Sequence, residues 1–353
     1  MHLKFLTETI SSWDRICNDP RPKYIYGMGD TAWRIIQILK ARNTKIDGVF
    51  ASNDFVRGHK FLWYPVMTLE EVEEKEQDFI VILAFATNRP EVIKRIYEIQ
   101  RKHILFVPDL PVIGDKLFTY DYCLINSESL QAVYALFEDK ASQDLFADMC
   151  NFRISGDIQY LKTSVTNKDE IYNDILKLGN NEIYVDLGAY DGDTISEFLH
   201  YTDNKYAEII AFEPAPKNLK KLRANTQNLK NLKIYPCASW SVDTKLPISR
   251  ADGRQASLST SNPKYMIETK AVDTLDIVPT FIKMDVEGAE YETLHGVMAV
   301  IAEHKPKLAV PLYHRTEDIF KLPLLIKQWN PKYKFYLRRL PYIPAWDLTL
   351  YCI

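Results

Sequence analysis

The sequence predicts an α/β protein with two parallel sheets, and three observations support this prediction. Strand and helix patterns alternate over residues 24 to 109 and again from residue 181 onward. A helical segment without such alternation separates the two series. At 353 residues, the chain is also too long for one ordinary hydrophobic core. We therefore predict a small parallel α/β region at 1–115, a helical connector at 116–180 and a doubly wound region at 181–353.

The amino-terminal series begins with the strand KYIYG and continues with a helix. Four apolar residues of this helix share one face: Ala32, Ile35, Ile36 and Leu39. The strands IDGVFAS, DFIVILAF and ILFVPD follow, and DFIVILAF is apolar enough to be buried on both faces. Pro90 suits the first turn of a helix between the last two strands.

The middle of the chain is predicted to be helical. AVYALFEDKASQDLFADM has the pattern of one continuous amphipathic helix. The second α/β series then contains EIYVDLGAY, AEIIAFEP, NLKIYPCAS, TFIKMDVEG and KLAVPLYH. Two final strands, YKFYLRRL and AWDLTLYCI, have only PYIP between them, which is too short for a helical crossover. We therefore expect the last strand of this sheet to be antiparallel.

Composition excludes several classes of protein. The net charge is -3 and no block of five like charges occurs, so a nucleic-acid partner is not expected. The longest apolar run, FIVILAFA, is too short to span a bilayer, so membrane insertion is not expected either. The five cysteines are scattered and odd in number, which argues against a disulfide framework or a zinc site. These features favour a cytoplasmic protein.

The turn after the first strand carries a short glycine motif. Gly27, Gly29 and Ala32 form G-x-G-x-x-A between a strand and a helix, as in Rossmann-like dinucleotide sites. However, the second strand ends in Ser52 and Asn53, where an acidic residue would hold a ribose. A bound dinucleotide and a simple tight turn in a Rossmann-like region both remain open.

The carboxy-terminal series carries a second glycine turn, DLGAYDGDT. Asp186 ends a strand there, and Gly188 and Gly192 keep the turn compact. Glu213, at the end of the next strand, is placed to accept both hydroxyls of a ribose. The alternative is that the aspartate is a turn former or helix cap. DGD lacks the spacing of a calcium loop, and we predict no metal in this turn.

A polar cluster follows the fourth strand of this series. FIKMDVEGAEYETLHG places Lys283, Asp285 and Glu287 where a strand gives way to a helix, and His314 ends the next strand. Ligands of open α/β sheets bind at this carboxyl edge. These four residues are the candidate catalytic group. Glu290 is expected to favour the helix amino terminus instead.

Four motifs carry a resemblance to a known family. DLGAYDGDT, IIAFEPAPKNLKKL, IKMDVEGAE and LAVPLYHRTEDIFKLP occur in this order, and together they resemble the FkbM family of S-adenosylmethionine-dependent methyltransferases. The resemblance covers about residues 155 to 353. It implies a class I methyltransferase fold, whose seventh strand is antiparallel. It also implies O-methylation of a hydroxyl on a sugar, a glycan precursor or a natural product.

The resemblance also implies a set of cofactor-binding residues. Glu213 would bind the ribose hydroxyls of S-adenosylmethionine, and Pro214 would shape that corner. Ala238 and Ser239 would face the adenine. Family motifs often have an apolar or amide residue where this chain has Asp191, which adds local charge. The residues expected around the methionine and ribose parts are Asp186, Gly188, Ala189, Asp191 and Gly192.

Methyl transfer to an alcohol requires an acceptor oxygen in line with the sulfonium and a base that removes its proton. We expect His314, paired with Asp285 or Glu287, to be this base, because the ordinary pKa of histidine is near neutral. No metal ion is predicted. The alternative is that Asp285, Glu287 and His314 bind a divalent cation that acidifies the hydroxyl.

Two other functions stay open from the sequence alone. One is an NAD(P)-linked enzyme that uses Gly27 and Gly29. The other is a non-catalytic nucleotide-binding module in a glycan-biosynthesis complex. The expected partner is a small-molecule or glycan acceptor, and a homo-oligomer is left open.

Overall fold

The computed structural model describes residues 3–248 and 265–353. Six strands form the amino-terminal sheet in the order β3-β4-β2-β1-β5-β6. They are β1 (Lys23–Tyr26), β2 (Gly48–Phe50), β3 (Lys60–Phe61), β4 (Tyr64–Met67), β5 (Ile80–Leu83) and β6 (Ile104–Phe106). All pairs except β3–β4 are parallel. The strand order reverses beside β1, which creates a crevice at the carboxyl ends of β1 and β5.

Four helices accompany this sheet: α1 (Ser12–Asn18), α2 (Asp30–Ala41), α3 (Leu69–Lys75) and α4 (Pro90–Lys102). The predicted helical face is correct, since Ala32, Ile35, Ile36 and Leu39 are buried in α2. Pro90 begins α4 as predicted. The strand β4 was not predicted, because Pro65 interrupts the short run and proline inside such a run usually argues against a strand.

The connector contains α5 (Tyr120–Ile125), α6 (Ser127–Leu136) and α7 (Lys140–Ser155), followed by a π-helical segment at Glu170–Leu176. The prediction of one continuous helix is wrong, because the chain breaks between α6 and α7. The carboxylate of Asp139 caps α7 by accepting a hydrogen bond from the Ser142 N–H. Phe137 forms an isolated bridge to Phe335. After the break, α7 packs on the strand at Phe335–Arg339, whereas α6 packs on the helix at Asp318–Trp329.

The second sheet has seven strands in the order β15-β16-β14-β13-β7-β8-β9, beside a three-stranded sheet in the order β10-β12-β11. The strands are β7 (Ile183–Leu187), β8 (Glu208–Phe212), β9 (Leu232–Tyr235), β10 (Ala238–Ser239), β11 (Thr244–Ile248), β12 (Tyr265–Lys270), β13 (Phe281–Met284), β14 (Lys307–Pro311), β15 (Phe335–Arg339) and β16 (Leu348–Cys352). β16 is antiparallel to its neighbours β15 and β14, and β14, β13, β7, β8 and β9 pair with one another in parallel. This confirms the predicted doubly wound sheet with an antiparallel last strand.

The helices of the second region are α8 (Asp193–Tyr201), α9 (Pro216–Asn225), α10 (Glu290–His295), α11 (Met298–His304) and α12 (Asp318–Trp329). A single hydrophobic cluster connects the two sheets and the connector, and it contains Tyr26, Val81, Phe146, Val185 and Met284. The two regions therefore share this cluster, and each also has a smaller hydrophobic cluster of its own. Among the helices of the described residues, none has the length and apolarity that a membrane crossing requires.

Gly296 fixes the segment after β10 against the end of α10. A Cβ added at Gly296 would lie 1.9 Å from the Trp240 carbonyl oxygen. We expect Gly296→Ala to lower the free energy of unfolding by about 3 kcal/mol or more, because this backbone oxygen cannot move aside as a side chain would. Thermal and urea denaturation measure the effect. Gly179→Ala is the matched control, since its Cβ would meet only the Glu182 Oε1 atom at 3.7 Å. Equal stability of the two variants would contradict this account.

Candidate active site

The predicted site residues converge at the carboxyl edge of the second sheet, where two clefts adjoin. The glycine-turn cleft has a volume of about 1040 Å³ and lies over the ends of β7, β8 and β13. The interdomain cleft has a volume of about 870 Å³ and lies between the amino-terminal region and the second sheet. Lys283, Asp285 and Glu287 line both clefts. These three residues therefore lie where the two clefts meet, and a chemical group transferred from one cleft to the other would pass beside them.

Gly188 brings the turn after β7 against the turn after β13. Its φ of 89° is in the left-handed region, and an added Cβ would lie 2.0 Å from the Asp285 carbonyl oxygen. The backbone N–H groups of Gly188 and Ala189 both donate to the Phe212 carbonyl oxygen, at 3.0 and 2.9 Å. Gly188 lines the glycine-turn cleft, whereas Ala189 is fully buried. Only glycine permits this approach.

The other turn residues lie behind the cleft. Asp186 is fully buried, its Oδ2 accepts from the Thr194 hydroxyl at 2.5 Å, and its Oδ1 lies 3.7 Å from Lys283 Nζ. Burial raises the pKa of this carboxyl. The Asp191 carbonyl oxygen accepts from the Asn225 side chain, and Gly192 begins α8. Asp186, Asp191 and Gly192 do not line either cleft. They therefore support the turn from the side that faces away from the glycine-turn cleft.

Glu213 and its neighbours line the glycine-turn cleft. The Glu213 Oε1 atom accepts from the Ala215 N–H at 2.8 Å and the Asn218 side chain at 3.3 Å, and Oε2 accepts from the Tyr190 N–H at 3.0 Å. Burial raises the pKa of this carboxyl more than these hydrogen bonds lower it. Pro214, Ala238 and Ser239 line the same cleft. The structure thus brings together the residues predicted around ribose and adenine.

A buried histidine joins the carboxylates of the polar cluster. His314 is 1% exposed, and its Nε2 lies 3.5 Å from Asp285 Oδ1 and 3.5 Å from Glu287 Oε2. Its Nδ1 lies 2.9 Å from Glu290 Oε1, as an ion pair rather than an aligned hydrogen bond. Glu290 Oε1 also accepts from the Val286 and Gly288 N–H groups. Glu290, expected only to favour a helix terminus, is therefore part of the cluster.

Comparisons with known proteins agree with this geometry. Residues 186–337 match the family model described as Methyltransferase FkbM domain. Residues 186–337 carry an FkbM methyltransferase domain. S-adenosylmethionine is the methyl donor of this domain. No curated protein matches the chain significantly in sequence.

Solved structures show the fold. Methyltransferase FkbM from Methylobacillus flagellatus KT is 20% identical, with a TM-score of 0.74 over 95% of this chain and 90% of that chain. An rRNA methylase from Streptococcus thermophilus is 14% identical over 52% of this chain and 91% of that chain, with a TM-score of 0.34. Aeropyrum pernix fibrillarin is 13% identical over 51% of this chain and 70% of that chain, with a TM-score of 0.30. Only the first similarity is high enough to support an argument, and it supports the two-region fold.

The electrostatics of the methyltransferase domain do not favour His314 as the base. Burial alone would lower the pKa of His314, but Glu290, Glu287 and Asp285 outweigh it and raise the pKa well above its ordinary value. The imidazole is therefore protonated at neutral pH and has no free site for another proton. The sequence could not show this, because Glu290 approaches His314 only through the fold.

The same cluster offers donors for a divalent cation. Asp285, Glu290 and His314 each place one ligand atom within 4.8 Å of the others. The sequence suggested Glu287 as the third ligand beside Asp285 and His314, whereas in the structure Glu290 is the third member of the group. Carboxylate and imidazole are suitable ligands for several divalent metals. A cation would first have to displace the His314 proton, because a ligating imidazole is neutral.

Several residues of the clefts were not predicted. Tyr190 and Trp240 line the glycine-turn cleft, and Lys221 Nζ lies 5.5 Å from the Tyr190 ring centroid. Arg315 donates to the Gly288 carbonyl oxygen at 2.8 Å. Ile113 of the amino-terminal region lies in both clefts. Tyr190 and Arg315 directly adjoin predicted site residues in sequence, whereas Ile113 had no local signal.

The first glycine of the amino-terminal turn, Gly27, serves packing. A Cβ at Gly27 would lie 2.7 Å from the Phe85 ring, so this glycine makes room for an aromatic side chain. Phe85 packs edge-on against Tyr26, and the Tyr26 hydroxyl shares a hydrogen bond with Ser52. Ser52 is therefore occupied at the strand end where a dinucleotide site needs an acidic residue. This arrangement favours the tight-turn interpretation.

Asp318 makes the stability of the methyltransferase domain depend on pH. Burial, followed by the nearby Glu290, raises its pKa from 3.8 to about 7. A carboxyl whose pKa is higher in the folded than in the unfolded state binds its proton more tightly when folded, so stability falls as pH rises from 3.8 to about 7 and levels off above that. Asp318→Asn keeps an oxygen acceptor for the Arg315 N–H. We expect it to stabilise the protein by about 1–3 kcal/mol at pH 8.5, and by much less at pH 5.

Melting curves at both pH values measure this difference. Asp276→Asn, at an exposed position, is the control and should show no pH-dependent gain. A gain for Asp318→Asn that is equal at pH 5 and pH 8.5 would show that Asp318 does not carry the pH dependence.

Proposed function

We propose that this protein transfers the methyl group of S-adenosylmethionine to a hydroxyl oxygen of a sugar, a glycan precursor or a natural product. The main support is the position of Lys283 and Asp285 on the border of the two clefts. A donor in the glycine-turn cleft would face an acceptor in the interdomain cleft across these residues. The scattered free cysteines support a cytoplasmic site for the reaction.

The glycine-turn cleft suits the adenosyl group. Glu213 is held in place by backbone N–H groups, and each carboxylate oxygen can accept more than one hydrogen bond. Since Ala215, Asn218 and Tyr190 occupy three of the roughly four acceptor positions of Glu213, we infer that one ribose hydroxyl donates to Oε2 and that the other replaces the long Asn218 hydrogen bond of 3.3 Å. Ala238 and Ser239 lie beyond Glu213 for the adenine, and the Ser239 hydroxyl is fixed 3.1 Å from the Thr293 hydroxyl. Because both polar groups are already oriented, the cofactor binds without much ordering of the protein.

We assign the proton acceptor to Asp285. Its side chain is 38% exposed and lines both clefts, whereas His314 is buried and protonated. The hydroxyl proton of the acceptor passes to the Asp285 carboxylate as the oxygen–methyl bond forms and the sulfur–methyl bond breaks. S-adenosylhomocysteine leaves. The His314 imidazolium orients Asp285 and Glu287 and balances their charge, and Lys283 is held on the other side by Asp186.

Other functions have less support. An NAD(P)-linked enzyme would need the amino-terminal glycine turn, where Phe85 packs on Gly27. A silent nucleotide-binding module would retain the glycine-turn cleft but would not need carboxylates on the border to a second cleft. Binding of S-adenosylmethionine without transfer to any acceptor would favour the silent module.

Glu213→Ala tests the donor site. We expect the affinity for S-adenosylhomocysteine to fall by about 100-fold, because hydrogen bonds to a charged group contribute about 1.5–3 kcal/mol each. Glu213→Gln keeps the shape and should lose less. Isothermal titration calorimetry gives both values. Glu208→Ala, at the opposite end of β8, is the matched control and should bind normally. Unchanged affinity of Glu213→Ala would mean that the ribose lies elsewhere.

Asp285→Asn tests the base. We expect kcat to fall by about 100- to 10,000-fold, which is the usual contribution of a positioned base, while donor affinity changes little. Transfer of a tritiated methyl group measures turnover, and calorimetry measures donor affinity. Asp54→Asn, at an exposed site in the amino-terminal region, is the control. Full activity of Asp285→Asn would exclude it as the base. Turnover that EDTA abolishes would support the divalent-cation alternative.

A further inference from the structure

We propose that the amino-terminal region is one wall of the acceptor site, and that this site selects an uncharged acceptor rich in hydroxyl groups. The proposal rests on the proposed methyl transfer and adds the acceptor's location and charge class. It gives the amino-terminal region a role that does not require a bound dinucleotide.

The interdomain cleft is built from both regions. Asp30, Arg34 and Asn88 line it from the amino-terminal region, whereas Lys283 and Asp285 line it from the catalytic border. Its volume of about 870 Å³ is in the range of sites that enclose drug-sized ligands. An acceptor hydroxyl at Asp285 would therefore leave the rest of the molecule in contact with the amino-terminal wall.

This wall is attached to the catalytic residues by hydrogen bonds. The Ile113 N–H donates to the His314 carbonyl oxygen at 2.9 Å, and the Thr316 hydroxyl donates to the Lys116 carbonyl oxygen. Thr87 and Ile343 exchange two backbone hydrogen bonds, at 2.8 and 2.9 Å. The first two contacts lie beside the catalytic cluster, and the third joins two segments whose neighbouring residues Asn88 and Tyr342 line the cleft. The wall thus has a fixed position relative to Asp285.

The charges of the cleft disfavour an anionic acceptor. Among the described lining residues, each cation already has a protein partner: Arg34 with the Pro111 and Gly114 carbonyls, Arg153 with Asp109, Lys168 with Glu197, Lys283 with Asp186, and His314 with Glu290. The carboxylates of Asp30, Asp193 and Asp285 also line the cleft. Carboxylates accept hydrogen bonds from hydroxyls but repel phosphate. The cleft therefore fits neutral hydroxyl-bearing molecules better than phosphorylated ones.

An aromatic pair supplies the apolar face of this site. Tyr342 and Trp346 lie in the connection between β15 and β16, with ring centroids 5.8 Å apart, and both line the cleft. Each ring is half-buried. Flat aromatic surfaces of this kind bury the C–H face of a ring-shaped ligand at little entropic cost. We infer that these two rings contact the part of the acceptor that is remote from the reacting hydroxyl.

Saturation-transfer NMR on the full-length protein loaded with S-adenosylhomocysteine tests the charge preference. The probes are cellobiose, maltose and lactose, each compared with its 1-phosphate. We expect at least one neutral disaccharide to bind, and its 1-phosphate to bind at least about 10-fold more weakly, which corresponds to about 1.4 kcal/mol. Tighter binding of the phosphates, or no binding of any neutral probe, would overturn the proposal. Failure to bind S-adenosylhomocysteine would instead refute the proposed methyl transfer.

Two variants test the amino-terminal wall and the aromatic pair separately. Trp346→Ala and Asn88→Ala should each raise the Kd of the bound disaccharide, and its KM where it is methylated, by about 10-fold. Donor affinity should stay unchanged, and Trp346→Phe should retain part of the binding. Trp63→Ala is the control, since this side chain is 63% exposed and lies outside the cleft. An unchanged Kd for Asn88→Ala would show that the amino-terminal wall does not contact the acceptor, and an unchanged Kd for Trp346→Ala would show that the aromatic pair does not.

Discussion

The close approach of two turns at the carboxyl edge of the second sheet is the constraint on which the site depends. Gly188 allows the turn after β7 to touch the backbone of Asp285, which no residue with a Cβ would permit. Beneath this contact, the buried Asp186 carboxylate faces Lys283 across adjacent strands. The glycine turn and the polar cluster thereby become one site. Without this approach, the two clefts would not meet at Asp285.

Charge balance explains why the cluster tolerates so many acidic groups. Asp285, Glu287 and Glu290 surround one buried histidine, and the protonated ring compensates part of their charge. A buried ion pair is stable only when its partners remain together, so removing His314 would leave uncompensated carboxylates. The histidine is thus better understood as an orienting cation than as a proton acceptor. The more exposed Asp285 is left to face the acceptor.

The two regions work as one molecule because their contacts lie at the active site. The segment around Ile113 reaches the backbone of His314, and the hairpin connection at Ile343 pairs with Thr87. A shared hydrophobic cluster runs beneath these contacts. These contacts are the basis of our proposal that the amino-terminal region forms a wall of the acceptor site, a role that requires no ligand of its own. The packing of Phe85 on Gly27 agrees with such a structural role.

The sequence by itself determined the two parallel sheets, the antiparallel last strand and the residues at each strand end, because these depend on local periodicity and glycine turns. It predicted Glu213 and Asp285 as site residues, and both line the glycine-turn cleft. It failed where distant segments meet: the helix predicted through Phe137 breaks where this residue bridges to Phe335, and Glu290 raises the pKa of His314. Only the tertiary structure decided these points, because burial and the distance between charges arise when the chain is folded.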